Sequence, residues 1–273
     1  MTAKAPTSLQ YCFDSDLRMK PAGESSFEGM ITANWSVNGD PNGGYLMAFM
    51  AAAMRELSDK KRPVIVTANY LARGETCLSR VIVEPISKGK HLNRLQAKLM
   101  QNGVEKTRCW GTFMGENEYA DTNCYEKEPP FLPSRENCFP FPALPRYTLF
   151  SSMDILLDPS CAGWLKGGGN LAGISEHRGW IKFHDNRPCD HLSLLLMADA
   201  FPPPVLAKHG ALKWVPTIEY SVSVRSIADT PWIKAVFRSY FVTGGIVEED
   251  GELWDENGKL LVVSRQIAQF RKK

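Results

Sequence analysis

The sequence lacks several features that would point to a membrane, a nucleic acid or a metal. It has no apolar run as long as a membrane span, no secretory signal in MTAKAPTSLQYCF and no peroxisomal tripeptide in its terminal FRKK. Its 32 basic and 30 acidic residues give a net charge of +2 without long blocks of like charge. Its seven cysteines form no C-x-x-C pair, and GWLKGGGN is not a phosphate-binding loop. These absences favour a cytoplasmic protein that acts on a small molecule, with no nucleic-acid or membrane partner, no metal and no cofactor.

What the chain does contain is an internal repeat. Its 273 residues are 44% hydrophobic, which is enough for a substantial core. Thr67 and Tyr70 in VTANYLARG recur 150 residues later as Thr217 and Tyr220 in PTIEYSVSVR. The same offset places NGGYLMAFMAAAM over LSLLLMADAFPPP, and an Asn-Gly turn follows in each half. The sequence therefore predicts the duplication of one unit.

Each unit has the same order of elements, an apolar helix followed by strands. The first unit predicts a helix over 42–57 and strands near 64–71, 77–86, 91–101 and 104–114. The second predicts a helix from the N-cap Asp190 to about 200, and strands near 215–225, 231–243, 246–255 and 259–271. A helix that is apolar all round must be enclosed, and an antiparallel sheet can enclose it.

This order predicts an α+β fold of the double hotdog type, with two tandem units that each wrap a sheet around a central helix. The predicted divisions are an N-terminal extension over 1–19, a first hotdog unit over 20–114, a proline-rich crossover over 115–147 and a second unit over 148–273. We expect the two sheets to join edge to edge into one continuous sheet.

Several longer segments resemble one family. WSVNGDPNGGYLMA is similar to the first-half signature of the acyl-CoA thioesterase II family and its thioesterase-like relatives. HRGWIKFHDNRP with LLLMADAFPPP resembles a second-half segment of the same family, and PTIEYSVSVR and VVSRQIAQFR resemble the strands that follow it. The resemblance extends from about residue 20 to the C-terminus and implies an acyl thioester, such as an acyl-CoA, as substrate.

The resemblance also implies a catalytic set. In that family an Asp, a Thr and a Gln bind and activate the hydrolytic water, and Asp199, Thr217 and Gln266 stand at the matching positions. Their chemistry suits the reaction, because an acid can take a proton from water while a hydroxyl and an amide orient it or bind the oxyanion. Burial among Leu192, Leu195 and Leu196 is expected to raise the pKa of Asp199.

Each residue also has a structural interpretation. Asp199 could cap the turn or a following helix, Thr217 is a common strand residue, and Gln266 could face solvent from an alternating strand. His177 and Arg178 are interpreted as anchors of the strand before the second helix. NGGY could present the backbone amides of Gly43, Gly44 and Tyr45 to the thioester or to a CoA phosphate, although helix starts use glycine for ordinary reasons too.

The repeat predicts one catalytic site per chain. At the repeat offsets Asp199 corresponds to Phe49 and Gln266 to Cys109, while Thr217 still meets Thr67. The first half is thus expected to act as the structural partner that a single-hotdog protein obtains by dimerising. Further association of whole chains into a homo-oligomer stays open.

Three other functions stay open at this point. A hotdog-fold hydratase or dehydratase is one, although the Pro and His that complete the hydratase signature are missing after Asn42. A biosynthetic tailoring enzyme that acts on a thioester is another. A non-catalytic acyl-binding protein is the third, since a fold does not guarantee an activity.

Overall fold

The computed structural model describes residues 11–115, 123–167, 170–211 and 213–272. Parts of the predicted N-terminal extension (1–10), of the crossover (116–122) and of the GWLKGGGN loop (168–169) lie outside the described residues.

The described residues form five α-helices and two sets of strands. The helices are α1 (Cys12–Asp16), α2 (Gly43–Leu57), α3 (Leu149–Ser152), α4 (His191–Met197) and α5 (Val205–His209). The strands of the first half are β1 (Lys20–Gly23), β2 (Ser26–Met30), β3 (Ser36–Val37), β4 (Asp40–Pro41), β5 (Arg62–Tyr70), β6 (Leu78–Lys88), β7 (Leu92–Gln101) and β8 (Val104–Met114). Those of the second half are β9 (Phe139–Pro140), β10 (Met153–Leu157), β11 (Glu176–Phe183), β12 (Lys213–Trp214), β13 (Thr217–Val224), β14 (Ile233–Arg238), β15 (Val242–Thr243), β16 (Ile246–Trp254), β17 (Leu260–Gln269) and β18 (Arg271–Lys272).

One 14-stranded sheet runs through both halves of the described chain. Its order is β1-β2-β6-β7-β8-β5-β13-β17-β16-β14-β11-β10-β9, with β15 attached to β16. The two halves meet where β5 pairs antiparallel with β13, from Asn69 opposite Glu219 to Ile65 opposite Ser223. Across this seam Thr67 Oγ1 lies 2.9 Å from Ser221 Oγ. The predicted edge-to-edge junction of the two sheets is confirmed.

The central helix α2 is enclosed as its composition predicts. Every residue from Gly44 to Met54 is buried, and the helix packs against β5, β6, β7, β8 and α4. Asn42 caps its start, where its side chain accepts a hydrogen bond of 3.0 Å from the Tyr45 N–H. In the second half Asp190 caps α4 through a reciprocal capping box with Ser193, so this predicted N-cap is confirmed.

No helix among the described residues is long and apolar enough to cross a membrane.

Some elements differ from the prediction. Helix α4 ends at Met197 rather than near 200, because three prolines from Pro202 onward cannot continue a helix. The predicted strand over 231–243 is divided into β14 and β15. The predicted extension contains α1, which inserts the fully buried Phe13 into the core, and the predicted crossover contributes β9 to the edge of the sheet. Elements as short as these carry no readable hydrophobic period.

Candidate active site

Asp199 lies in the turn after α4, where the end of that helix meets the start of α2. An added Cβ on Gly44 would lie 2.6 Å from the Leu195 carbonyl oxygen and 2.8 Å from the Asp199 Cβ, so only glycine allows the two helices to come this close. The carboxylate that follows the negative end of the α4 dipole therefore lies against the positive end of the α2 dipole. The opposed ends of the two helices thus explain how an acid is tolerated at the end of an apolar helix.

The start of α2 provides direct hydrogen bonds to this carboxylate. The Gly44 N–H donates to Asp199 Oδ2 over 2.8 Å, and Asn42 Nδ2 donates to the same oxygen over 2.9 Å. Asn42 Nδ2 also donates to the Asp199 backbone carbonyl over 2.8 Å. Because Asn42 uses its carbonyl oxygen to cap α2, one side chain both starts the helix and orients the acid.

The remaining hydrogen bond to the Asp199 carboxylate comes from the sheet. Gln266 Nε2, on β17, donates to Asp199 Oδ1 over 3.2 Å and to Thr217 Oγ1, on the neighbouring strand β13, over 2.9 Å. Asp199, Thr217 and Gln266 therefore lie together. Both hydrogens of the Gln266 amide are engaged by these bonds, which leaves the Thr217 hydroxyl hydrogen free to donate and Asp199 Oδ1 free to accept again.

The environment of Asp199 changes its acidity. Burial raises its pKa from the ordinary value of 3.8 to about 6, and the hydrogen bonds from Gly44, Asn42 and Gln266 limit the increase. The sequence-based expectation that burial raises the pKa of Asp199 is confirmed. The side chain remains partly accessible to solvent. A carboxylate that is mostly ionised at pH 7 and has a pKa near that pH is suited to accept a proton from water.

Two further groups at the site have no partner among the described residues. The Tyr70 hydroxyl, at the end of β5, is enclosed and unpaired. It lies 2.8 Å from the point where Gly43 would carry a Cβ, and Asp199 Oδ2 lies 3.0 Å from that point. Burial, and secondarily the charge of Asp199, raises the Tyr70 pKa well above its usual range. The second group is Glu249 on β16, directly opposite Gln266 in the sheet.

Sequence reasoning did not assign roles to Asn42, Tyr70 or Glu249. Asn42 stands inside the NGDPNGGY motif and Tyr70 inside the T-x-x-Y repeat, so both lay in segments already singled out. Glu249 lies in the acidic stretch GIVEEDGELWDENG, where nothing in the sequence separates an inward carboxylate from outward ones.

The structure places the three predicted substrate-contact residues at the start of α2. Gly43 is partly accessible, whereas the Gly44 N–H is bonded to Asp199. Tyr45 is fully buried, and its hydroxyl lies 3.2 Å from the Asp16 carbonyl oxygen. Contact of this segment with substrate stays a prediction, although the first half takes a direct part in the site through Asn42 and Gly44.

At the counterpart positions the first half is apolar. Phe49 is fully buried, and its ring lies 6.3 Å from that of Tyr45, which in turn neighbours Trp35. Cys109 is fully buried with its Sγ 3.4 Å from Met50 Sδ, and burial raises the pKa of its thiol well above the usual range. A thiol that is apolar and protonated in this way is not a nucleophile.

His177, interpreted from the sequence as an anchor of the strand before the second helix, lies on β11 and is fully buried. His177 Nδ1 is 2.9 Å from the Pro202 carbonyl oxygen, its ring neighbours Trp164, and burial lowers its pKa to about 4. Arg178, beside it, pairs with Asp158 over 2.7 Å. Within the described ranges no group of three or more His, Cys, Asp or Glu residues is placed to hold a metal ion.

The continuous antiparallel sheet around central helices defines the class, a double hotdog protein. Solved structures of this fold match nearly the whole chain. They include a putative thioesterase II from Thermobifida fusca YX (20% identity, 97% of this chain and 99% of that one, TM-score 0.87). A hotdog protein of unknown function from Alicyclobacillus acidocaldarius matches at 19% identity over 97% of this chain and 100% of that one, with a TM-score of 0.86. The acyl-CoA thioesterase II TesB2 from Mycobacterium marinum matches at 13% identity over 96% of this chain and 98% of that one, with a TM-score of 0.73. At these identities the likeness shows the fold alone.

Two protein-family models match this chain and identify its family within the hotdog class. The acyl-CoA thioesterase N-terminal domain model matches residues 31–114, and the acyl-CoA thioesterase C-terminal domain model matches residues 128–270. The chain belongs to the acyl-CoA thioesterase family. A search with the sequence finds no significant match among curated proteins.

Proposed function

We propose that this protein hydrolyses acyl thioesters such as acyl-CoA, and that Asp199, Thr217 and Gln266 bind and activate the water. The observation that carries the proposal is the placement of Asp199, a partly accessible residue whose Oδ1 is bonded to Gln266, which also bonds a threonine hydroxyl that retains its own hydrogen. Family membership supports the substrate class.

In this mechanism a water donates one hydrogen to Asp199 Oδ1 and accepts a hydrogen bond from the Thr217 hydroxyl. Asp199 takes the proton as the water oxygen bonds to the thioester carbonyl carbon. The resulting tetrahedral intermediate then collapses with cleavage of the C–S bond, and the proton on Asp199 passes to the leaving thiolate. The products are a carboxylic acid and a free thiol, and Asp199 returns to its ionised form.

The developing negative charge on the carbonyl oxygen requires a hydrogen-bond donor. The Tyr70 hydroxyl suits this role, because it is enclosed near Asp199 and has no acceptor among the described residues. Gly44 and Gln266 are less suited, since their N–H groups already donate to Asp199 or Thr217.

The proposal is tested with a panel of saturated acyl-CoAs from acetyl to palmitoyl, together with a 2-enoyl-CoA. We expect release of free CoA thiol from at least one chain length. The proposal is contradicted if no member releases thiol, or if the enoyl-CoA gains water across its double bond while its thioester stays intact, as a hydratase would produce.

A further inference from the structure

Glu249 lies on the inner face of the sheet, beside the candidate catalytic set. Along β16 the buried Val247 and Gly251 flank it at the alternate positions that share its face. In the adjacent strand it stands directly opposite Gln266. Side chains opposed in this way have Cβ atoms roughly 5 Å apart, so Glu249 is a direct neighbour of the residue that contacts both Asp199 and Thr217.

The residues on either side of Glu249 are engaged on the other face. Glu248 accepts hydrogen bonds from the backbone N–H groups of Tyr240 (2.6 Å) and Phe241 (3.0 Å). Asp250 accepts two bonds from Arg265, over 2.6 and 2.7 Å. Glu249, by contrast, has no hydrogen bond or ion pair with any part of the chain that the structure describes.

The surroundings of Glu249 favour a neutral carboxyl group. Burial raises its pKa well above the ordinary 4.5, and the charged groups that act on it, Asp199 and Asp250, are both acids and raise the pKa further. The residue is nevertheless partly accessible to solvent, so a ligand that reaches Asp199 and Gln266 can contact it. A neutral carboxyl offers such a ligand one O–H donor and one carbonyl acceptor.

A carboxyl group that has no partner on the protein can gain one from a bound ligand, and the hydrogen bond then favours ligands of matching chemistry. A hydroxyl, which both donates and accepts, complements a neutral carboxyl. A carboxylate on the ligand would be repelled by Asp199, and an ammonium group would require Glu249 to ionise.

We propose that Glu249 determines substrate specificity by hydrogen bonding to a hydroxyl group on carbon 2 or 3 of the acyl chain, so that hydroxyacyl thioesters are the preferred substrates. This rests on the proposed hydrolysis at Asp199. We place the contact close to the reacting carbonyl, at carbon 2 or 3, because Glu249 is the cross-strand neighbour of Gln266, which contacts Asp199. The hydroxyl and amides of the pantetheine arm have the same chemistry, so the thiol is varied as well as the acyl chain.

The test compares kcat/KM for 2-hydroxybutyryl, 3-hydroxybutyryl and butyryl thioesters, each as the CoA ester and as the N-acetylcysteamine ester, which lacks the pantetheine hydroxyl. The wild type is expected to prefer one of the hydroxyacyl substrates by about 3–10-fold with both thiols, the net worth of one well-formed hydrogen bond. Glu249→Leu should abolish the preference by lowering kcat/KM for the hydroxyacyl substrate alone. Glu249→Gln, a neutral donor and acceptor, should retain most of it, and the outward control Glu248→Gln should retain all of it.

The proposal is overturned if the wild type shows no preference, or if its preference is confined to the CoA esters. It is also overturned if the preference survives in Glu249→Leu, or if kcat/KM falls equally for the hydroxyacyl and acyl substrates in that variant. Failure of the hydrolytic proposal is distinguishable, because no thioester would then be cleaved by the wild type. The Glu249 contact is in that case measured directly, as the ratio of Kd values for the matching hydroxyacyl and acyl thioether analogues of CoA, which cannot be hydrolysed. Equal Kd values would overturn it.

Discussion

At the scale of residues, Asp199 is the group on which the proposed chemistry depends. It is largely buried and has no cationic partner among the groups that shift its pKa; its charged form is stabilised by neutral donors, chiefly Gly44 and Asn42. Hydrogen bonds from neutral groups offset only part of the desolvation cost, which is why the pKa stays raised rather than depressed. The two interpretations left open by the sequence, helix cap and catalyst, are also compatible, because the carboxylate binds the N-terminal amide of another helix while Oδ1 remains available.

The raised pKa makes a prediction for stability. A carboxyl whose folded pKa is about 6 and whose ordinary value is 3.8 contributes stability that is fully present below pH 3.8 and is lost as the pH rises through 6. Asp199→Asn does not titrate, and Gln266 can turn its amide to accept from the new amide group. The stability of the variant relative to wild type should therefore rise between pH 5 and pH 8, by on the order of 1 kcal/mol or about 2–4 °C in Tm.

Thermal unfolding of both proteins at several pH values checks this prediction. The contributions of the other titrating groups largely cancel in the difference between the two Tm values. A difference in Tm that does not vary with pH, or that falls toward pH 8, would show that the carboxyl of Asp199 is not desolvated in the folded protein.

At the scale of elements, the site is made by the opposed ends of α2 and α4 and by two neighbouring strands. Asn42 has two functions at this junction, since its side chain caps α2 and also donates a hydrogen bond to Asp199. Gly44 permits the approach of the two helices, because any Cβ there would meet the backbone of α4. Burial has the largest effect on the pKa of Asp199, and most of the hydrogen bonds that limit the increase come from the start of a helix in the other half of the chain.

Asn42→Asp separates these two functions of Asn42. Aspartate remains a good N-cap and is favoured at a helix N-terminus, but it places a carboxylate oxygen about where a donor now lies 2.9 Å from Asp199 Oδ2. Like charges at this distance raise the pKa of Asp199 further. The pH at which kcat/KM reaches half its maximum should move upward from about 6 by roughly one unit or more. Asn42→Ser, which also caps but adds no charge, should give a smaller shift, and an unchanged midpoint in Asn42→Asp would argue that Asp199 is not the titrating base.

The elements were predictable where the sequence is periodic. Helix α2, the N-cap of α4 and the long strands on either side of the Asn-Gly turns follow from apolar patterns and turn residues. Helix α1 and strand β9 were missed, because they are short and stabilised by the core they join. Of the candidate site, the resemblance placed Asp199, Thr217 and Gln266, but Asn42, Tyr70 and Glu249 required the packing of the two halves. No local pattern reports which residues face each other across α2, α4 and the sheet.

At the scale of the whole molecule, the duplicated units form one body through the β5–β13 pairing and the contact of α2 with α4. In the first half, Phe49 and Cys109, which correspond to Asp199 and Gln266 in the sequence repeat, are fully buried and apolar. The N-terminus of α2 nevertheless contacts the carboxylate of the second half through Gly44. We expect a single hydrolytic site per chain.

The most direct test of this account is the pH dependence of kcat/KM for the best acyl-CoA substrate in wild type and Asp199→Asn. For the wild type we predict a rise with pH through a midpoint near 6 and a plateau above it, since the proposed mechanism uses the ionised form of Asp199 as the base. The asparagine variant should lose about 10²–10⁴-fold at the plateau and lack this midpoint, because the first half offers no second base. Cys109→Ala, at the apolar counterpart of Gln266, should keep turnover close to wild type. A folded Asp199→Asn protein with near-wild-type turnover and the same midpoint would contradict the assignment of Asp199 as the base.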